Sequence, residues 1–512
     1  MARTPLAAAV EQAARIVAED GRTTRRGFLR GAGATALGAT LLGRAAGPAA
    51  AQSGPAPGTR IVVVGAGIAG LTCAYRLQQA GYAAQIYEAS ARIGGRCWTG
   101  RGDFADGQLY EHGGELIDNG HIQMKQLAQE LGFTLDNLQQ GETSGTEQLG
   151  YFFGKPYTFD QMIDDLKTIW QQVHMDVSAA SYPTLYNSST TRGRELDKMS
   201  LYAWIENYVP GGHSSPLGAL LDVAYNIEYG AESTVQSSLN MLYLLGYVGP
   251  GQFRTFGKSN EKFHVHGGND QVPAALAAKL ASQITMSTPL TAIKLNADGS
   301  TYTLTFGNGS GSFTKVADHI VLALPFTILR TVDFSKAGFN QVKTWAINEL
   351  GMGTNSKVHV QFTSRFWRDQ GCTGETYSDR GYQNTWEVSR TQPGKSGILV
   401  WYTGGNPGVA VGSGTVQTQV SKNFLPWIDP VLPGAIANWN GLAVRDYWTG
   451  YQWTKGSYSY WKAGQYTRFS GAEKEQSGNC HFCGEHTSQD FQGYLQGGVE
   501  TGERVAGEIL KS

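Results

Sequence analysis

Residues 61–70, IVVVGAGIAG, constrain this chain more than any other segment. Four consecutive apolar β-formers suit a parallel strand covered on both faces. They run directly into Gly65-Ala66-Gly67-Ile68-Ala69-Gly70 and then a helical spacing of apolar residues. In such a strand–turn–helix the first glycine permits the tight turn, and the second lets the backbone approach a pyrophosphate. The third allows close helix–strand packing, and the helix N-terminus stabilises the anion. A second short strand over 83–87 ends at Glu88, 18 residues after Gly70, where a carboxylate accepts from ribose hydroxyls and repels a 2′-phosphate. The unit is βαβ, and its ligand is a dinucleotide.

Composition agrees with a large planar cofactor. Glycine supplies 67 of 512 residues, and aromatics 11%, with 12 Trp and 24 Tyr. Lys+Arg total 41 against 42 Asp+Glu, which excludes a nucleic-acid-binding electropositive surface and charge-driven disorder. Five cysteines, an odd number, exclude a disulfide framework, and no apolar run reaches the ~18 residues of a membrane span.

Residues 22–30, RTTRRGFLR, precede a weakly apolar run and Ala49-Ala50-Ala51. This is the twin-arginine export pattern with a cleavage site, so residues 1–51 are set aside from the fold and the mature chain is mildly acidic. The expected location is periplasmic or extracellular. That route carries folded proteins, which agrees with a cofactor loaded before export.

The expected fold is α/β: a doubly wound, Rossmann-type dinucleotide domain, a mixed β-sheet substrate domain and a helical insertion. The dinucleotide domain is discontinuous, over 58–118, 258–330 and 455–512. Helical spacings over 121–131, 159–173 and 200–208, interrupted by a polar stretch at 181–194, place the insertion at 119–257. A helix over 273–284 and strands at TYTLTF and DHIVLALP are expected to rejoin the first sheet. KVHVQF and GILVWY place the substrate domain at 331–454, with aromatics along one side of its sheet.

Arg92-Ile93-Gly94-Gly95-Arg96 follows the second strand, and FHVHGGNDQVPAALA (263–277), VLALPF (321–326) and HFCGEHTSQDFQGYLQGGVETGERVA (481–506) follow in order. Together these segments resemble the flavin amine oxidase family of monoamine, polyamine and L-amino acid oxidases, over essentially all of residues 60–512. GGELID at 113–118, with the export signal, resembles most the exported bacterial L-amino acid oxidases.

The resemblance implies FAD. Gly94 and Gly95 pass close to the flavin, Arg96 contacts the phosphates, and Gly113, Gly114 and Leu290 join the cofactor site. Gly484-Glu485 match the second FAD signature, whose carboxylate bonds the ribityl chain. The helix opening near Tyr494-Leu495 would aim N–H groups at the ring edge where charge accumulates on reduction. Lys357 matches the lysine that holds a water against flavin N5 and assists reaction with dioxygen. Tyr458 and Tyr494 match the two aromatic positions flanking the substrate amine. Ser457 stands where monoamine oxidases carry the cysteine that attaches the flavin, so FAD is expected to be noncovalent. The implied partners are a small amine or amino acid and dioxygen, with no nucleic acid and no membrane insertion, in a homodimer.

The implied reaction is oxidative deamination with release of ammonia and hydrogen peroxide. L-amino acids are the expected substrates, with primary amines or polyamines as the alternative. The chain departs from the L-amino acid oxidase pattern just after Gly113-Gly114, where Glu115 and Asp118 occupy the place of an arginine for the α-carboxylate. Acidic residues there could receive a substrate ammonium. Cys480 and Cys483 form a CxxC, but in a strand residues i and i+3 face opposite ways. His112, His121, His264, His266 and His486 show no metal-ligand spacing, so no metal is expected.

Overall fold

The computed structural model describes residues 54–246 and 261–512, apart from 308 and 310. The export pattern of residues 22–30 lies outside the described residues.

The apolar run Ile61–Val64 is a fully buried strand. It pairs in parallel with Ala84–Tyr87 on one side and His319–Leu322 on the other, and Ile284–Thr285 and Cys480–Phe482 complete a five-stranded parallel sheet. Gly65 turns the chain out of the first strand at φ +106°, into helix Ile68–Gln79. A Cβ on Gly70 would lie 2.1 Å from the Gly65 carbonyl oxygen, so only glycine lets this helix start so close to its strand. The C-terminal helix, Leu495–Ile509, packs on the same helix. Its Gly502 comes so near that an added Cβ would lie 2.4 Å from Ala69 O.

A second, seven-stranded mixed sheet runs in the order Trp439–Tyr447, Ser356–Phe362, Gly397–Thr403, Gln383–Glu387, Cys372–Ser378, Glu147–Phe152, Lys155–Tyr157. Its central strands Ser356–Phe362, Gln383–Glu387 and Gly397–Thr403 are buried along their whole length, because helices cover one face and a Trp/Phe core the other. Trp401 stacks on Phe424 in that core at 5.3 Å. Helices Phe159–Ala180, Leu201–Tyr208, Pro216–Tyr229 and Ser238–Leu245 form the helical layer, and each begins at a Ser or Thr that accepts a backbone N–H.

The structure redraws several expected boundaries. Strands Glu147–Phe152 and Lys155–Tyr157, inside the expected helical insertion, are the last two strands of the substrate sheet, with Lys155–Tyr157 at its edge. The 302–307 strand does not rejoin the dinucleotide sheet. With Leu290–Leu295, Ser312–Ala317 and Asp333–Lys336 it forms a separate four-stranded sheet, which crosses the expected boundary at 330. This sheet packs Phe306 against Tyr87 at 4.2 Å, a long-range contact that local periodicity does not carry. The helix expected over 273–284 is Gln271–Lys279, and Ile284 belongs to a strand. Part of the polar stretch at 181–194 begins a capped helix, Thr191–Lys198.

Candidate active site

One cavity runs from the glycine turn of the dinucleotide sheet to the substrate sheet. At its first end Gly65, Gly67, Glu88, Gly94 and Gly95 line the wall. Gly67 bridges Gly94, so two stretches of bare backbone face the groove. Glu88 accepts from the Ala66 N–H at 2.7 Å and the Ser90 N–H at 2.8 Å. Its carboxylate therefore also clamps the glycine turn, and a carboxylate retains further lone-pair sites for ribose hydroxyls. Gly70 does not face the cavity; its role is the helix–strand approach described above.

Further along, Arg96 and Glu485 form an ion pair at 2.8 Å. Arg96 also donates to the Ser457 carbonyl at 2.8 Å, and Glu485 accepts from the Ser459 hydroxyl at 2.7 Å and the Gly493 N–H at 2.8 Å. Burial alone would raise the Glu485 carboxyl; Arg96, His486 and Ser459 hold it below the ordinary carboxylate range. The expected phosphate and ribityl contacts of these two residues thus spring from one joined unit. Gly113 and Gly114 pass so close beside it that a Cβ would lie 2.0 Å from Arg96 O in the first case and 2.8 Å from the Leu495 side chain in the second. Leu290 and Leu495 also line the cavity, and Tyr494 is the N-cap of the last helix. Ser457 donates to Asn355 Oδ1 at 2.7 Å, and its hydroxyl offers no thiol for covalent flavin attachment. Paired backbone-lined turns, a carboxylate at the second strand end and a helix N-terminus at the far end fit an extended FAD.

The substrate end is built by the mixed sheet. Lys357 is buried, and its ammonium donates to Glu111 O at 3.1 Å, Gly113 O at 2.9 Å and Glu115 Oε2 at 2.7 Å. Glu115 Oε1 accepts from the Trp386 indole at 2.9 Å. Burial would raise the Glu115 carboxyl, but the Lys357 charge and these hydrogen bonds bring it below the ordinary range. The expectation that Glu115 receives a substrate ammonium is corrected accordingly: the protein supplies its own. The sequence hid this because the two residues lie 242 positions apart.

Tyr458 and Tyr494 both line this end. Tyr458 donates to Ile227 O at 3.0 Å, and its hydroxyl meets that of Tyr402 at 2.9 Å. Tyr402 packs against Trp386, with ring centroids 5.1 Å apart. Tyr402 and Trp386 escaped sequence reasoning: GILVWY reads as ordinary strand alternation, and no local motif marks Trp386. Tyr494 touches the His121 ring edge-on at 5.0 Å, and burial pushes His121 down to about 3, so its ring is neutral.

Asp118 lies on the same wall and accepts the Glu261 N–H at 2.7 Å. Glu261 was not anticipated. It is 8% exposed and lines the cavity. Burial, with Asp118, Glu375 and Glu228 nearby, pushes its carboxyl well above the ordinary range. Glu375 itself is pushed by burial up to about 7.

Cys480 and Cys483 are both buried free thiols in different core clusters, and burial raises both. Among the described residues no group of three His, Cys, Asp or Glu is arranged to hold a metal, and no helix is long and apolar enough to cross a membrane.

Residues 68–510 match the model of the flavin containing amine oxidoreductase family. The chain is 23% identical over 492 residues to the L-amino acid dehydrogenase of Synechocystis sp., covering 90% of this chain and 97% of that one. It is 23% identical to the L-amino-acid oxidase of Demansia vestigiata, covering 88% and 87%. Cyclohexylamine oxidase from Brevibacterium oxydans IH-35A shares the fold, with a TM-score of 0.76 at 22% identity, over 89% and 99% of the two chains. A cavity built to take FAD at one end and an aromatic, acidic chamber at the other is thus set in a chain that belongs to the flavin containing amine oxidoreductase family.

Proposed function

We propose that the protein catalyses oxidative deamination of L-amino acids. An L-amino acid, dioxygen and water give a 2-oxo acid, ammonium and hydrogen peroxide. Bound FAD supplies the acceptor for the hydride of the amine-bearing carbon. The observation that carries the reading is the chamber at the substrate end, where the aromatic residues Tyr458, Tyr494, Tyr402 and Trp386 share one wall system with Asp118 and Glu261.

Each residue has a part in this reading. Tyr402 and Ile227 O fix the Tyr458 ring, so the substrate amine meets a rigid apolar face that excludes water. A dry face favours the neutral amine, whose nitrogen lone pair drives hydride loss, and no strong general base is needed. Asp118 and Glu261 suit a cationic side chain, because an ammonium or guanidinium relieves the repulsion between two buried acids. The Glu261 carboxyl then gives up its proton as the cation arrives. Basic L-amino acids are the preferred substrates in this reading. Its first 51 residues serve export by the twin-arginine route.

A second reading, oxidation of primary amines or polyamines, is favoured by one observation. The cavity-lining cations Arg96 and Lys357 are both paired with carboxylates, at 2.8 and 2.7 Å, and so are poor anchors for a substrate carboxylate. Peroxide release separates the two readings, with L-lysine against cadaverine and L-phenylalanine against phenethylamine. Activity confined to the carboxylated partners supports the first; activity confined to the amines overturns it.

A further inference from the structure

The ammonium of Lys357 has three N–H donors, and all three are spent on the protein, two on the carbonyls of Glu111 and Gly113 and one on Glu115 Oε2, which leaves none for the water the resemblance assigns to it. Both side chains of the ion pair are 8% exposed, so solvent screens them little. The second oxygen of Glu115 is held by the Trp386 indole, whose ring lies 5.7 Å from Lys357 Nζ. Neither partner can swing away without leaving the other buried and uncompensated.

We propose that Glu115 is a positioning residue that acts through Lys357, cancelling its charge so that the bound flavin faces a neutral Lys357–Glu115 pair instead of a lone ammonium. The geometry makes the case. Gly113, whose carbonyl accepts from Lys357, and Gly114 touch Arg96 and Leu495 in the cofactor half of the cavity, so the pair borders the flavin end. A carboxylate at 2.7 Å turns a single positive charge into a dipole, whose field falls off faster with distance. Transfer of two electrons and two protons from a bound reduced flavin to dioxygen, giving hydrogen peroxide, would gather negative charge beside the Lys357–Glu115 pair before the protons arrive. A lone cation stabilises that charge and a compensated one does so far less. Glu115 therefore trades part of the lysine's electrostatic help for a fixed lysine position, locked to the aromatic wall through Trp386.

The test needs no substrate, so it stands or falls apart from the substrate reading. The midpoint potential of the bound flavin is measured anaerobically, and the photoreduced holoenzyme is mixed with dioxygen, both in buffers from mildly acidic to alkaline. The set is wild type, Glu115→Gln, Lys357→Met and the double variant. Glu115→Gln is expected to raise the potential and to speed reoxidation about tenfold, the size of effect a nearby unit charge exerts on an equilibrium. Lys357→Met leaves Glu115 buried without its cation, so it lowers the potential and slows reoxidation at alkaline pH, where that carboxyl is ionised, and not where it has taken up a proton. The double variant, neutral again, returns the potential to near the wild-type value. If Glu115→Gln and Lys357→Met shift the potential in the same direction, or Glu115→Gln shifts it equally with and without Lys357, the proposal is overturned. Should Glu115→Gln fail to fold, the Lys357→Met and double variants still decide it: potentials in those two that remain equal at alkaline pH, where Glu115 is ionised, sink the idea.

Discussion

Two acids on the substrate side make separable predictions at the level of single residues. Burial pushes Glu375 up to about 7, while in the unfolded chain it ionises at its ordinary value near 4.5. Between those two values the unfolded state has lost the proton that the folded state keeps, so this residue's contribution to stability falls as pH rises through the window. Glu375→Gln should therefore unfold at a higher temperature than wild type at pH 7 and at nearly the same temperature at pH 5, by thermal melts across that range. At Glu261, loss of a charge-assisted contact to a cationic side chain should raise KM for L-lysine about tenfold and leave KM for L-phenylalanine nearly unchanged. Equal effects on both substrates would remove Glu261 from the specificity role. Glu88, Arg96 and Glu485 could be singled out from sequence because each sits in a short motif whose chemistry is local. Trp386, Tyr402 and Glu261 could not, since their spacing is that of any strand or loop and only the folded cavity brings them to one wall.

The decisive elements are those that approach one another as bare backbone. The turn at Gly113-Gly114 is wedged between Arg96 O and the Leu495 side chain at the start of the last helix. An alanine at 113 would meet backbone, which cannot yield, whereas one at 114 would meet the end of a leucine, which can turn. Gly113→Ala should accordingly retain less FAD than Gly114→Ala, read as flavin absorbance per mole of purified protein; the reverse order would contradict the packing described. The first strand, its glycine turn and the last helix were all legible, because buried parallel strands and helix starts write continuous local patterns. The short hairpin of Glu147–Phe152 and Lys155–Tyr157 was not, since it joins the sheet by pairing Glu147–Phe152 with Cys372–Ser378, more than two hundred positions away.

For the whole molecule, Ser457 and its bond to Asn355 predict that acid or heat denaturation releases all the flavin into the supernatant, with none left on the precipitated chain. The export proposal predicts that replacing Arg25 and Arg26 together by lysine leaves the precursor, with its cofactor, in the cytoplasmic fraction, followed by immunoblot; unchanged export would refute it. The sequence by itself determined the dinucleotide strand–turn–helix, the FAD signatures at both ends of the chain and the family chemistry, because those depend on residues within a few positions of one another. Only the tertiary structure decided how the acids are used. Glu115 and Asp118 are three residues apart and look equivalent on paper, yet one is neutralised by Lys357 and the other stands beside Glu261. The physical reason is that a buried charge is defined by its nearest partner, and those partners come from strands and loops far apart in the chain.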